Sequence, residues 1–184
     1  MEQNLVRANM WNIAARYGLV LGVIASIYTL STTMMADLEI SATLVKLITC
    51  ILWTAKLVGC IWLMRHAMVS YAKTCDEISN RDIFKLGVTA SVLSALVFAA
   101  FSFANISYIS ADLFDLQMEQ AMTQMAPMMD SNSLSMVDCY LENLPTITFI
   151  SNLVYCFIFG TILSAILSRN IPSVDPFADY KSQE

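Results

Sequence analysis

Lys56 stands alone inside an apolar run, and a lone ammonium in that setting is the residue best placed to do chemistry. Arg65 lies nine residues on. At 1.5 Å per helical residue, Lys56 is therefore about 13 Å inside that end. In a hydrocarbon core about 30 Å thick, that is near the middle. A lysine there costs several kcal/mol unless it meets water or a partner. It could line a polar path or hold an anionic group. The plainer alternative is that it snorkels, or hydrogen-bonds to Asn105, Asn152 or a serine of a neighbouring helix. No acid lies mid-span to pair with it.

A second group is the run Met118, Met122, Met125, Met128, Met129 and Met136. Thioethers are soft ligands that select Cu(I). Methionine is also an adaptable apolar filler at partner surfaces. No histidine accompanies the run, so amphipathic packing or partner docking through Met118, Met122, Met125 and Met128 is the expected role. The acids Asp112, Asp115, Glu119, Asp130, Asp138 and Glu142 match no calcium loop with fixed ligand spacing and read as a solvated acidic face. His66 is the sole histidine and sits beside Arg65, without a partner set for catalysis. Cys75 has Lys73 and Arg81 to activate it but Asp76 and Glu77 to oppose them. The spacing of Cys50, Cys60, Cys75, Cys139 and Cys156 matches no zinc or redox motif. No catalytic residue, metal ligand or cofactor site is expected. No phosphate-binding glycine loop or metalloprotease signature is present.

The elements that must position these residues are membrane helices. The chain of 184 residues is 57% hydrophobic and only 14% charged. A soluble domain carries about 25% charged residues. The apolar surplus must face lipid. A net charge of −5 also argues against nucleic acid as a partner. Four runs of the needed length occur, at about residues 17–36, 45–65, 86–111 and 143–168. They are continuous rather than alternating, so they read as helices and not as barrel strands. The first reads as a signal anchor that is retained. The fold class expected is all-α: one four-helix membrane domain over residues 1–184.

Lys and Arg fix the orientation. Arg7, Arg16, Arg65, Lys73, Arg81, Lys85, Arg169 and Lys181 fall on one side, and only Lys46 on the other. The segment 112–142 has six acids and no Lys or Arg. Both termini are expected in the cytoplasm, with 112–142 exported and mostly helical and 169–184 a cytoplasmic tail. Cys139 is then the only exported cysteine, and no disulfide within the chain is expected.

The connections carry local signals. The loop near 37–43 is short, so spans one and two should pair as an antiparallel hairpin. The stretch from His66 to Lys85 reads as a longer polar loop. Ser79 followed by Asp82 resembles a capping box for the third helix. That helix is expected to run on out of the membrane and break near Pro127. Residues 130–133 read as a turn. Asn143 with Pro145 suits a helix start. Pro172 and Pro176 suggest an extended or loosely docked tail.

Helices in lipid associate by close packing, which favours small residues four apart. Span one offers Gly18, Gly22 and Ser26, span three Ser91, Ala95 and Ala99, and span four Gly160, Ser164 and Ser168. These stripes are expected to pack the helices of one chain against each other; contact with another chain is the alternative.

Several short motifs carry a resemblance. Tyr17-Gly18-Leu19 with Gly22 opens the first span, and Phe84-Lys85-Leu86-Gly87-Val88 opens the third. Asp115 and Gln117-Met118-Glu119 follow on the outside. Gly160 to Ile166, then Pro172 and Pro176-Phe177, close the chain. In these features it resembles an uncharacterised family of small four-helix inner-membrane proteins, typical of Bacteroidetes and known as a domain of unknown function. The segment from Lys73 to Arg81 departs from it in lacking glycines. The resemblance implies the fold and a bacterial inner-membrane location, and no activity.

The expected function is therefore non-enzymatic: an accessory or scaffold subunit of a membrane complex. Its expected partners are the lipid bilayer and another membrane protein or a second copy. An oligomeric transporter or channel with Lys56 lining a polar path is the alternative. Cu(I) binding by the methionine-rich segment is a minor one.

Overall fold

The structure, a computed structural model, describes residues 2–36, 41–73, 79–125, 127 and 129–171. Helix α1 is Glu2–Ala36, α2 is Ala42–Ala72 and α3 is Asn80–Ala104. A five-residue π-turn, Asn105–Ile109, continues α3. Then come α4 (Ala111–Met125), α5 (Ser131–Glu142) and α6 (Leu144–Arg169). Four stretches are long and apolar enough to cross a membrane: Asn9–Met35, Thr43–Ala72, Asn80–Ile109 and Leu144–Arg169. A helix satisfies its own backbone, which lipid requires.

Helix α3 is central. It packs along α1 on one face and along α6 on the other. Gly18 abuts Ala90 and Gly22 abuts Ser94 and Val97, so α1 and α3 run parallel. Gly87 abuts Ser164 and Gly160 abuts Ser91, so α3 and α6 run antiparallel in a reciprocal fit. Each seam uses the same device. Ser26 donates to the Gly22 carbonyl (2.8 Å), Ser91 to Gly87 (2.8 Å) and Ser164 to Gly160 (2.6 Å). The glycine lets a neighbouring helix approach, and its carbonyl takes up the hydroxyl that the seam buries. Ala95 and Ala99 extend the buried face of α3, and Ser168 that of α6.

Helix α2 is attached differently. At the end of the bundle holding His66 and Arg169 (the near end), Met64, Ala67, Met68 and Tyr71 of α2 join Ala14, Ile83, Leu86 and Leu167 in a four-helix apolar core. Toward the opposite, far end, Leu44, Leu47, Ile51, Trp53 and Val58 are exposed. Only 6% of α2's most apolar stretch is buried, against 39% for that of α3.

Several local expectations need correction. The second helix does not stop at residue 65. It continues through Arg65 and His66 to Ala72 because Ala67, Met68 and Tyr71 bury their side chains. The long polar loop is thereby reduced to the residues between Ala72 and Asn80. The third helix does not run unbroken to Pro127. The chain turns at Ser110 (φ −125°, ψ 28°) after the π-turn, and α4 starts afresh before ending at Met125. The capping box is one-sided. The Ser79 hydroxyl accepts the Arg81 N–H (3.3 Å), while the Asp82 carboxylate turns to Lys85 Nζ (2.7 Å). Residues 130–133 are a helix start and not a free turn: the Asp130 carboxylate accepts the Ser133 N–H (2.9 Å) and caps α5. Hydrogen bonding to Ser133, through its side chain and its backbone N–H, holds the Asp130 carboxyl below its ordinary range. Asn143 does precede α6, with Pro145 in its first turn, but its side chain donates back to the Cys139 carbonyl (2.9 Å) and so closes α5. The loop residues 37–40, Cys75, Met128 and the tail from Pro172 lie outside the described residues.

The seam and the open face of α2 make opposite demands on glycine. A Cβ at Gly18 would sit 2.7 Å from the Ala90 carbonyl oxygen, whereas one at Gly59 meets nothing within 4 Å. Gly18→Ala should cost about 1–3 kcal/mol through overpacking. Gly59→Ala should be neutral or gain up to about 1 kcal/mol of helix propensity. Unfolding midpoints in mild detergent check both, and a Gly18→Ala protein as stable as the parent would contradict the α1–α3 seam.

Candidate functional site

The far end of the bundle holds a cavity of about 570 Å³. Its polar lining comes from five helical segments: Thr29 of α1, Ser102 of α3, Asn105 of the π-turn, Gln117 of α4, and Thr148 and Asn152 of α6. Phe98, Phe114, Met118 and Leu144 supply apolar walls. The polar residues converge because of spacing. Ser102 and Asn105 are three apart, and Thr148 and Asn152 four apart, so each pair shares one helix face. Asn152 is eight residues into α6, about 12 Å below its start at 1.5 Å per residue.

The π-turn fixes Asn105. The Ser110 N–H reaches the Asn105 carbonyl five residues back (2.8 Å), and the Ser110 hydroxyl donates to Asn105 Oδ1 (3.1 Å). Such widened turns are rare and concentrate at functional sites. The bond from the Ser110 hydroxyl occupies Oδ1, the acceptor end of the side chain. Asn105 is 1% exposed, and its Nδ2 has no hydrogen-bond partner. Ser102, one turn earlier and also buried, has an unpartnered Oγ. An unsatisfied buried donor costs about 1–3 kcal/mol.

Among the described residues, the lining carries no Lys, Arg, Asp or Glu. Beside it lies a second hollow of about 540 Å³, sharing Ile106, Phe114, Met118 and Leu144 as a common wall. Its lining includes Asp115 and Glu119.

Lys56 is elsewhere. Its Nζ lies 4.1 Å from the centre of the Tyr28 ring, a cation–π contact between α2 and α1. It makes no hydrogen bond to Asn105 or Asn152, which serve the far cavity instead. Among the described residues its ammonium is in no ion pair; the pair found there is Lys85–Asp82. Cys60 and Cys156 lie within electrostatic reach of its charge. Cys50, Cys60, Cys139 and Cys156 are free thiols.

The remaining candidates disperse. His66 shares a 2.9 Å hydrogen bond with the Tyr17 hydroxyl and lies against the Trp62 ring, forming an aromatic cluster at the near end. Met118 and Met122 of α4 line the hollows, and Met125, at helical spacing from them, is exposed. Among the described residues, no three His, Cys, Asp or Glu side chains gather as a metal site. Sequence reasoning missed Tyr28, Ser102, Thr29 and Thr148. The paired polar residues at helical spacing in otherwise apolar spans were the available signal.

A family model described as "Protein of unknown function (DUF4199)" matches residues 16–169. No curated protein and no solved structure matches the chain.

Proposed function

The chain belongs to that family of unknown function, and from its own geometry we propose that it is a non-enzymatic integral membrane protein serving as an accessory subunit of a membrane complex. The observation that carries this reading is the open half of α2. There Lys56, half-buried against α1, has an aromatic ring but, among the described residues, no counter-charge, and Gly59 one turn on opens onto empty space. Lipid can cover the exposed Leu and Ile of that half, but it offers little to a mid-depth ammonium. A helix of another membrane protein, carrying an acid or amide at that depth, supplies both a Gly59-sized contact and a partner for Lys56. A second copy fits less well. It brings another Lys56, and the only acid in the four apolar stretches is Asp82, near the start of α3.

The distribution of charge supports a bacterial inner-membrane orientation with both termini in the cytoplasm. Arg16, Arg65, Arg81, Lys85 and Arg169 cluster at the near end, and Asp112, Asp115, Glu119 and Glu142 at the far end. In this orientation the exposed Cys139 of α5 should react with a membrane-impermeant thiol reagent added from outside. Labelling only after lysis reverses the orientation.

Native mass measurement after gentle detergent extraction tests the subunit reading. The parent should emerge with a stoichiometric, different membrane protein. Lys56→Leu should insert normally and lose at least about tenfold of that partner, the loss expected when a desolvated charge contact of about 1.4 kcal/mol or more disappears. A partner-free homo-oligomer would overturn the subunit reading and favour a transporter with Lys56 in its path. A lone monomer would overturn both.

A further inference from the structure

We infer that the far-end cavity is a binding site for a neutral, largely apolar molecule presenting a carbonyl oxygen. The inference rests on the cavity and is independent of the role proposed for α2. Its volume of about 570 Å³ falls within the range of small-molecule sites. Asn105 Nδ2 is a donor held in place with nothing to donate to, and Ser102 Oγ stands one turn away in the same state. A donor in a buried site selects an acceptor, and a carbonyl is the acceptor an apolar molecule most readily brings. Phe98 and Phe114 offer apolar walls for the rest of the molecule.

Charge excludes other classes. Among the described residues no cation in the lining is available for a phosphate or carboxylate, and Asp115 and Glu119 in the adjoining hollow repel anions. The π-turn is what makes the site possible. By widening α3 at Asn105 it lets Ser110 occupy the Oδ1 and leaves the amide N–H free. A lipid-soluble ligand reaches such a place from the membrane. The same carbonyl chemistry is carried by a quinone ring and by the ester of a neutral acylglycerol.

The test uses the full-length protein in detergent. It is titrated separately with ubiquinone-1, dioctanoylglycerol and dioctanoyl phosphatidic acid, with bound copies counted by native mass spectrometry. At least one neutral probe should saturate at one molecule per chain, and the anionic lipid should bind at least about tenfold more weakly. Asn105→Leu removes the orphan donor while keeping an apolar side chain of similar size. It should unfold at the same midpoint as the parent or above it, and bind the neutral probe about tenfold more weakly. Ala121→Phe, which fills the cavity from α4 and leaves Asn105 intact, should weaken binding as much. Saturation by ubiquinone-1 alone assigns a quinone, saturation by dioctanoylglycerol alone an acylglycerol ester, and saturation by both a site that reads the carbonyl only. Failure of both neutral probes to saturate, equal binding of the anionic lipid, or unchanged affinity in both variants overturns the inference and leaves water as the partner of Asn105.

Discussion

The rest of the fold depends on α3 being gripped from two sides by glycine and serine. In lipid there is no hydrophobic force to drive helices together, so contact must come from surfaces that fit. Gly18 and Gly22 admit one face of α3, and Gly87 with Gly160 admits the other. The serines that follow these glycines by one turn turn their hydroxyls back onto their own helices. The seams therefore hold polar atoms without needing water or a cross-helix partner. That leaves α1, α3 and α6 as a closely fitted slab.

What the slab does not include is as informative. Helix α2 joins it through Met64, Met68 and Tyr71 at the near end and stands clear beyond them. Lys56 lies midway along α2, half-buried with its ammonium on the face of Tyr28. At the far end the slab opens differently. The π-turn interrupts α3, α4 folds across the end, and unpaired polar groups collect around a cavity instead of on a surface. One chain thus carries two unsatisfied features: a half-buried charge between α1 and α2 and a buried amide at the far end. The occupants proposed for them differ, a protein helix for the first and a small molecule for the second.

Much of this was legible in the sequence. Four apolar stretches follow from run length alone, and the small-residue stripes follow from spacing; Gly18, Gly22, Gly160 and Ser164 stand at the helix contacts. Helix ends were harder, because charge does not stop a helix whose next turn is buried: Arg65 and His66 are exposed while Ala67 and Met68 beyond them are core. The break at Ser110 was not legible, since a π-turn has no composition signal of its own. The partner of Lys56 was sought among amides and serines and proved to be a tyrosine ring. A ring in an apolar span reads as one more hydrophobe until its neighbour is known. The cavity required both the break and the register of five segments, and neither is written in any one of them.

The central claim is a fitted α1–α3–α6 slab with α2 fastened at one end only. Electron–electron distance measurements in nanodiscs address it most directly. One spin-label pair would be placed at Leu96 and Val154, across α3 and α6, and the other at Met34 and Leu44, across the far ends of α1 and α2; all four positions are exposed. The account predicts a narrow distance distribution for the first pair and a distinctly broader one for the second, because few buried contacts restrain that end of α2. Equally narrow distributions would contradict it, showing α2 to be held along its whole length.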